Sequence, residues 1–511
     1  MLSSTLTSPQ SLAATLATLF LTWCIVERLI ISAKLAGRPG IRASIDGGNP
    51  ITAIMHLWRF GAAQNKRKIP EFFDDMYGKA DPSSPWCTEI LIAGRRILLT
   101  AEPGQIKAML ATQFDQFGKG ERFRRIWSPF LGESIFATDD AKWHANRKLL
   151  RPMFNKERLS DLKIFERHTQ ILLSQLPSSG QTVDMGKKFN DLTMDVITDF
   201  LMGRAVGSLE NPQNEFAQTF GIVQTRQVFR AIIWPLRWFL PKDHAYFNGI
   251  DVMDRIVDPY IDEAMAMSQD ELKVLSESGE ELSFLQNIAL QSKDRKVMRD
   301  QIIAVLLAGR DTSGASLSWA LYELSHYPEE WAKLRKEVLS MVGPETQPTY
   351  QDLKDMKYLQ YILHETLRLH PSIPFNVRTC FESTTLPGYP GQPDILVNEG
   401  DTIIYVPLTM QRRRDLYPPV SEDFADPAIF SPSRWFKWTP EPWHLIPFNG
   451  GPRICLGQNF ALTELAFVLV RLSQKYERVE YQGDWDAQFI KTDIVGKPGQ
   501  GVPVAFFEPG K

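Results

Sequence analysis

The segment FNGGPRICLG, residues Phe448 to Gly457, constrains this chain more than any other feature. It places Cys455 among glycines and directly before LGQNFALTELAFVLVRLSQKY, an apolar stretch with helical periodicity. Glycines let a backbone turn closely around sulfur, and the start of a helix directs N–H groups and the positive end of its dipole at a thiolate. A single cysteine before an apolar helix is more often an inert core residue, so the other motifs must decide between these interpretations.

Helical periodicity dominates the rest of the chain. RDQIIAVLLAGRDTSGASLSWALYELSHYP, residues 299–328, is apolar nearly all round, which predicts a helix through the middle of the protein that ends at Pro328. A second long helix is predicted over 352–371. Residues 88–100, with a turn at Gly94, and residues 394–408 each indicate two short strands about a turn. The predicted fold class is mainly α with small peripheral β-sheets.

Composition excludes several classes of protein. The 57 basic and 60 acidic residues leave a formal charge of −3, which provides no electrostatic footprint for nucleic acid. The four cysteines are too few and too scattered for a disulfide framework or a CxxC zinc site, which favours a reducing compartment. Neither GxGxxG after a strand nor GxxxxGK[ST] occurs, so we expect any redox equivalents to come from another protein.

The N-terminal region carries a membrane-anchor pattern. Residues Leu12 to Ile31 are largely apolar and number about 20, the length that a bilayer-spanning helix needs. The basic residues follow this stretch, which by the positive-inside rule predicts a single-pass anchor with the body in the cytosol. A cleaved signal peptide is the alternative, although the basic region that it needs at the N-terminus is missing. Gly37 to Pro50 is rich in Gly and Pro and suits a linker.

Four further motifs precede the cysteine segment. In HETLRLHP, Glu365 and Arg368 stand at ion-pair spacing on one helical face, and the missing second histidine excludes an HExxH zinc site. WHANR places Trp143 and Arg147 on one face as two donors suited to a carboxylate. AGRDTS and FSPSRW, the second of which contains Arg434, complete the set.

The motifs WxxxR, AGxDT, ExxR, FxPxRW and FxxGxRxCxG follow one another in this order, and with them the chain resembles the cytochrome P-450 haem-thiolate enzymes. The resemblance runs from roughly Trp86 to the C-terminus and implies the cytochrome P-450 fold, preceded here by one N-terminal transmembrane helix. It divides the chain into an anchor over 1–32, a linker and start of the catalytic body over 33–85, and a haem-thiolate catalytic domain over 86–511.

The resemblance implies haem b as cofactor, with Cys455 as the axial ligand of its iron. A thiolate in that position pushes electron density toward bound oxygen and favours O–O cleavage. Residues implied to bind the cofactor are Cys455, Arg453, Phe448, Gly451, Trp143, Arg147 and Arg378. Arg453, Trp143, Arg147 and Arg378 would serve the haem propionates, while Phe448 would pack against the loop and Gly451 would allow its turn.

The acid–alcohol pair Asp311 and Thr312 is the implied catalytic pair. Such a pair in mid-helix is by itself weak evidence, because Thr often back-bonds there and Asp is a poor helix-interior residue. Beside oxygen it would bend the helix and deliver protons through water, and Gly309 would leave room for the oxygen ligand. Glu365 and Arg368, with Arg434, are implied to form a buried structural network without a chemical role.

The resemblance also implies partners. A separate NADPH-cytochrome reductase in the endoplasmic reticulum membrane would supply the electrons used with O2, and NADPH would act only through it. Its docking face is predicted to include Lys142, Lys148, Arg151 and Lys437, although such a cluster is more often solvated surface.

The substrate is predicted to be lipophilic. AGRDTS and NGGPRICLGQNFALTE resemble the fungal alkane- and fatty-acid-hydroxylating branch, which favours an aliphatic chain, and apolar segments 123–136, 228–239 and 371–377 are candidate pocket walls. Arg122, Arg124 or Arg125 at the pocket mouth would bind a carboxylate.

Three alternatives stay open. Ser313 and the segment VSEDFADPAIF depart from this branch, which leaves the tailoring of a polyketide or terpenoid in fungal secondary metabolism. The other two are of another class: a haem-thiolate isomerase or dehydratase, and a haem-binding membrane protein without catalysis. Asp311 and Thr312 favour the monooxygenase over both.

Overall fold

The computed structural model describes residues 9–47, 50–65, 68–92, 95–155, 161–211, 213–234, 241–277, 282–422 and 424–510. Its helices are α1 Pro9–Leu35, α2 Pro50–Asn65, α3 Ile69–Gly78, α4 Pro103–Lys107, α5 Gly120–Leu131, α6 Asp140–Leu150, α7 Lys163–Ser174, α8 Met185–Met202, α9 Glu215–Ile233, α10 His244–Ala266, α11 Gln269–Glu277, α12 Phe284–Gln291, α13 Arg295–His326, α14 Pro328–Met341, α15 Tyr350–Asp355, α16 Lys357–Leu369, α17 Pro407–Met410 and α18 Gln458–Lys475. Its strands are β1 Ser44–Ile45, β2 Cys87–Ile92, β3 Arg95–Thr100, β4 Phe117–Gly118, β5 Thr182–Asp184, β6 Asn376–Cys380, β7 Thr384–Leu386, β8 Ile395–Val397, β9 Thr402–Tyr405, β10 Arg478–Tyr481, β11 Ile490–Thr492, β12 Gly496–Pro498 and β13 Pro503–Phe507. The predicted mainly α class with small sheets is confirmed.

The strands form one larger sheet and three small ones. The larger has the order β1-β2-β3-β9-β6-β4, and the others are β10-β13-β5, β11-β12 and β7-β8. The hairpin of β2 and β3 is confirmed, with its predicted turn residue Gly94 outside the described residues. Segment 394–408 does contain two strands, but they do not form a hairpin, because β9 pairs in parallel with β3 while β8 pairs with β7.

The central helix α13 lies in the core as predicted. It begins where the Asp294 side chain accepts hydrogen bonds from the N–H groups of Lys296 and Val297, and most of its side chains are buried. Helix α8 packs along it so closely that a Cβ on Gly309 would lie 2.6 Å from Ile197 Cδ1. Gly309 therefore lies at a close contact between the two helices, and the expectation that it leaves room for an oxygen ligand stays a prediction.

The predicted helix over 352–371 is two helices. The chain breaks at Met356, whose ψ of 89° is not helical, and α16 restarts at Lys357. The Glu337 carboxylate accepts hydrogen bonds from the N–H groups of Tyr358 and Leu359, which satisfies the free donors of the second helix start. This interaction comes from a different helix, α14, 21 positions earlier in the chain.

Helix α1 contains the predicted membrane span. Within the part of the chain that the structure describes, no helix is long and apolar enough to cross a membrane, so the transmembrane helix is not confirmed. The residues after α1 contact the larger sheet and its neighbours. The Arg38 guanidinium donates to Asn398 Oδ1 at 2.9 Å, and Arg42 forms an ion pair with the buried Glu89. The boundaries of the three predicted segments stay a prediction.

Candidate active site

The cysteine segment forms a tight loop ahead of α18. A single 3-10 turn over Gly451–Arg453 is followed by Cys455, whose N–H donates to the Phe448 carbonyl at 3.0 Å. Gly451 has φ +65°, and a Cβ there would lie 1.7 Å from the Leu110 carbonyl oxygen. Both the left-handed backbone and the absence of space require glycine at this position. Phe448 is partly buried and packs against the core.

The Cys455 side chain lines an accessible space inside the protein. Its side chain is exposed, although the surrounding chain desolvates it. Burial raises the pKa of the Cys455 thiol, whereas the Gly457 N–H and the Arg147 charge lower it. A thiol that coordinates a metal ion is deprotonated outright, so a bound iron would overcome the effect of burial. The start of α18 adds the positive end of a helix dipole.

Trp143 and Arg147 of α6 both reach this loop. The Arg147 guanidinium donates to the Ile454 carbonyl at 3.0 Å, one residue before the cysteine. The Trp143 ring is buried, and the Arg453 guanidinium lies 4.5 Å from its centre. The structure therefore brings together the WxxxR motif and the cysteine segment, which are about 300 positions apart in the chain.

Three buried cations meet next to this loop. Arg453 Nη2 donates to Asp139 Oδ1 at 2.6 Å, and burial lowers the pKa of Arg453 to about 10. Arg378 on β6 is 2% exposed, and the hydrogen bond described for its guanidinium goes to the neighbouring Val377 carbonyl. Lys119 Nζ donates to Asn376 Oδ1 at 3.1 Å, and burial together with Arg378 and Arg453 holds the pKa of Lys119 well below its usual range. We define Lys119, Arg378 and Arg453 as the cation cluster.

The cation cluster contains hydrogen-bond donors that have no partner within the described residues. Within the described ranges, the Nε atoms of Arg378 and Arg453 are buried without a hydrogen-bond partner, Asp139 pairs with Arg453, and the charge of Asp140 also acts on Arg453. Buried unpaired charges and donors are costly, so this arrangement fits a ligand that carries more than one carboxylate. Haem b has two propionates, and the positive charge present here fits them in sign. Sequence reasoning missed Lys119, because a single lysine in QFGKGERF has no recognisable motif.

The acid–alcohol pair lies at a different place, in the middle of α13. Ala308, Gly309, Arg310 and Thr312 are partly accessible in a helix that is otherwise buried, which indicates an interior space beside them. Thr312 Oγ1 donates to the Ala308 carbonyl at 2.5 Å, so its lone pairs can accept a hydrogen bond. Asp311 Oδ2 is buried and has no partner among the described residues.

The predicted structural network is confirmed. The Glu365 carboxylate accepts five hydrogen bonds, all between 2.8 and 3.0 Å, from Arg368 Nε and Nη2, Arg434 Nε, Trp435 Nε1 and the Ser431 N–H. Burial acts to raise the pKa of Glu365, but the two guanidinium charges and these hydrogen bonds bring the pKa below its ordinary value.

Comparisons with known proteins agree with this helical fold and its cysteine loop. The cytochrome P450 family description matches residues 47–500. The cytochrome P450 monooxygenase pvhE of Talaromyces variabilis is 45% identical over 89% of this chain and 88% of its own. Cytochrome P450 52A1 of Candida tropicalis is 36% identical over 81% of this chain and 79% of its own. The solved haem domain of cytochrome P450DA superposes with a TM-score of 0.70 at 20% identity, covering 89% of this chain and 92% of that one, which supports the fold.

The chain belongs to the cytochrome P450 family. It is accordingly a haem-thiolate monooxygenase, which uses haem with a cysteine thiolate ligand, O2 and electrons delivered by a reductase.

Proposed function

We propose that this enzyme hydroxylates a lipophilic substrate, with an aliphatic chain as the leading class, on a haem held by Cys455 and the cation cluster. The observation that carries the cofactor site is the surplus of buried positive charge beside an accessible cysteine. When bound, haem supplies the activation of O2 for insertion into a C–H bond. Arg378, Arg453 and Lys119 bind the propionates, and Trp143 and Arg147 hold the loop from the side of α6.

Asp311 and Thr312 handle protons in this proposal. The Thr312 hydroxyl donates to a carbonyl within its own helix, so its free lone pairs face outward to accept a hydrogen bond from water. The unpartnered Oδ2 of Asp311 takes up a proton and releases it toward that hydroxyl. General acid catalysis of this kind contributes about 10²- to 10⁴-fold to a rate.

Two of the three arginines near the predicted pocket mouth are paired with glutamates. Arg124 is paired with Glu133, and Arg125 Nε lies 2.9 Å from Glu121 Oε1. A carboxylate bound at either of these two arginines would have to displace a glutamate, and Arg122 stays a candidate for binding a substrate carboxylate. Part of the candidate pocket segment 228–239, residues 235–239, lies outside the described residues.

A tailoring oxidation in fungal secondary metabolism is the second candidate. Ser313 and the segment VSEDFADPAIF distinguish this chain from the alkane- and fatty-acid-hydroxylating branch that its motifs resemble. The two candidates differ in the shape of the substrate and share the site.

We further propose that the enzyme works at the endoplasmic reticulum membrane with a separate NADPH-cytochrome reductase. The support for membrane contact is the set of exposed apolar side chains on α1, which includes Leu19, Ile25 and Leu29 at 62, 60 and 64% exposure. In the proposed docking face, Lys142 Nζ lies 2.8 Å from Glu133, and the face is proposed to include Lys148, Arg151 and Lys437 beside it.

The experiment that tests this function is turnover of a substrate panel by the reductase-supplemented enzyme in membranes. The panel contains n-alkanes, fatty acids, and polyketide and terpenoid intermediates, and products are identified by mass spectrometry. Oxygenated aliphatic products would support the leading class, whereas oxygenation confined to polyketides or terpenoids would replace it with the second candidate. A haem-loaded enzyme that consumes no NADPH with any of them would contradict both.

A further inference from the structure

Aromatic rings follow one another along the second half of α13 toward the protein surface. The centre of the Trp319 ring lies 5.5 Å from that of Tyr322, and the Tyr322 ring lies 4.0 Å from the ring of Trp485 with their planes 3° apart. His326, which is exposed, stacks on Trp485 at 3.4 Å. Trp319 is 2% exposed, whereas Trp485 is partly accessible. We define Trp319, Tyr322 and Trp485 as the aromatic row, which connects the core to the surface.

The contact between Tyr322 and Trp485 is closer than ordinary core packing. Ring centres of aromatic pairs in proteins are commonly about 4.5 to 7 Å apart, in edge-to-face or offset arrangements. Tyr322 and Trp485 instead lie face to face, and Tyr322 is buried in the middle of the row. Electron transfer between two groups becomes faster as their π systems approach each other. The overlap of these two rings therefore favours electron transfer.

The inner end of the aromatic row lies near the residue proposed to handle protons. Trp319 follows Thr312 by seven positions, which is two helical turns, or about 10 Å, along the same face of α13. The His370 ring is parallel to the Trp319 ring at 4.0 Å, and His370 Nε2 lies 2.6 Å from Glu323 Oε1. Ser372, two positions after His370, donates to the Thr312 carbonyl at 3.4 Å. These contacts fix the position of Trp319 close to Thr312.

The outer end of the row suits a positive charge. An oxidised indole is a cation, and Trp485 stands in the chain between the exposed residues Asp484 and Asp486. Their negative charges favour this cation. The Tyr322 hydroxyl lies 3.5 Å from the Trp485 carbonyl oxygen, which is too weak a base to take its proton. Tyr322 therefore stays protonated and acts as an aromatic bridge between two oxidisable indoles.

We propose that the aromatic row carries electrons from a low-molecular-mass thiol in solution to the haem site when O2 has been activated but no substrate reacts. The inference rests on the proposed position of the oxygen beside Thr312 and goes beyond the monooxygenase reaction. Glutathione is a thiol of this class in reducing compartments. Each electron leaves a thiol at Trp485 and passes through the ring of Tyr322 to Trp319, and both indoles end the process unchanged.

The electrons and protons of this reaction balance. O2 takes up four electrons and four protons from solvent, the O–O bond breaks, and two molecules of water form. Two of the electrons come from the reductase. The other two come from two thiols, which lose their S–H protons to solvent and join in one disulfide bond.

The first test detects the oxidised indole without measuring any product. Substrate-free holoenzyme is mixed with hydrogen peroxide, frozen rapidly and examined by electron paramagnetic resonance, with ring-deuterated tryptophan to identify the signal. We expect a tryptophan radical that is lost in Trp319→Phe. Glutathione should remove this radical in the wild type but not in Trp485→Phe. The control is Trp58→Phe, at an exposed tryptophan of α2, which should leave the signal and its removal unchanged.

The second test measures the thiol consumed during substrate-free turnover with NADPH and the reductase. Catalase is added to remove released peroxide, which would oxidise thiols directly. The balance requires one disulfide for each NADPH that leads to water, and Trp485→Phe should abolish this disulfide and shorten the half-life of the haem Soret band. Tyr322→Phe keeps a ring in the row and should retain the wild-type behaviour, whereas Tyr322→Leu removes the ring and should resemble Trp485→Phe.

The outcomes separate this inference from the function on which it rests. If peroxide does not change the Soret band of the haem-loaded wild type, the proposed oxygen chemistry is wrong. If the band responds but no tryptophan radical forms, or if Trp485→Phe keeps the wild-type disulfide yield, the aromatic row does not carry electrons. A tyrosine radical that disappears together with the disulfide in Tyr322→Phe would overturn the role of the two indoles. Trp485 is partly accessible, so its variant decides the question even if Trp319→Phe does not fold.

Discussion

Two groups of buried arginines in this protein differ in whether all their hydrogen-bond donors have partners. Around Glu365, the guanidinium groups of Arg368 and Arg434 donate to one carboxylate and to carbonyl oxygens of the loop before Phe430, and all three side chains have zero exposure. In the cation cluster, Arg378 and Arg453 retain buried Nε atoms without partners in the described chain. The guanidinium donors of the Glu365 group have their partners within the protein, whereas those of the cation cluster obtain partners only from an added anion.

This difference separates a structural site from a ligand site without reference to any relative. A buried charge is tolerated when it is paired and hydrogen-bonded, and removing one member of such a set is strongly destabilising. Buried guanidinium donors that lack partners next to an accessible cysteine instead fit a site that receives an anionic group. The same residue type therefore predicts opposite mutational effects in the two places.

The largest effect is expected at the ligand site itself. Cys455→Ser should abolish the thiolate-type Soret band of the carbon monoxide complex and lower turnover by about 10³-fold or more, as removal of a catalytic group does. The measurement is the reduced carbon monoxide difference spectrum of membranes that carry the variant. Cys380→Ser, which keeps a donor for the Glu382 carbonyl, should retain the band. A thiolate-type band in Cys455→Ser would refute the proposed ligand.

A substitution in the Glu365 group should lower the stability of the fold. Glu365→Gln leaves two buried guanidinium groups without their anion and should lower the free energy of unfolding by about 3 to 5 kcal/mol. Denaturant unfolding of the enzyme would measure this loss. The exposed ion pair of Glu263 with Arg204 provides the control, because Glu263→Gln should change stability by less than about 1 kcal/mol. Equal losses in the two variants would remove the distinction between buried and surface pairs.

Arg378→Gln tests the cation cluster, where the substitution should weaken haem binding and leave the stability of the haem-free protein unchanged. Removing a charge-assisted contact to a propionate should speed haem release about 10- to 100-fold, which corresponds to about 1.5 to 3 kcal/mol. Stability of the haem-free protein should not fall, because a buried, unpaired charge is removed. Haem transfer to an excess of acceptor protein gives the rate. Arg368→Gln should show the reverse pattern, and similar behaviour of the two variants would contradict the comparison.

The smallest expected effect concerns Glu464, a buried glutamate that lacks the hydrogen-bond partners of Glu365. Neither carboxylate oxygen of Glu464 has a hydrogen-bond partner within the described ranges. Burial raises the pKa of Glu464 to about 8, and the nearby Ser313 hydroxyl lowers this pKa by a smaller amount. The folded state then holds a proton that the unfolded state has lost, so stability falls as the pH rises from about 4.5 to about 8. Glu464→Gln should remove about 1 to 2 kcal/mol of this fall in denaturant unfolding at several pH values. Glu399→Gln, at an exposed position, should leave the slope unchanged.

Sequence alone predicts the local parts of this molecule well. The central helix, the helix after Cys455 and the hairpin of β2 and β3 follow from periodicity and turn residues that lie within one segment. The break at Met356 and the pairing of β9 with β3 escape such reasoning, because Glu337 belongs to another helix and β3 is remote from β9 in the chain.

The candidate site shows the same limit. The spacing of the motifs indicated Cys455, Arg453 and Trp143 through their resemblance to a family, and the structure brings these residues into contact around one loop. Lys119 and the close approach of Gly309 to Ile197 depend on tertiary packing, and neither has a signal in its own segment.

The contact between Gly451 and Leu110 has a consequence for protein engineering. The carbonyl that leaves no space for a side chain on the cysteine loop belongs to the π-helical turn Ala108–Thr112, more than 300 positions earlier. The two segments therefore behave as one module that is split in the chain. Because the contacting atom is a backbone carbonyl, a chimera that imports the cysteine loop of a relative should keep this contact as long as glycine stands at the position of Gly451.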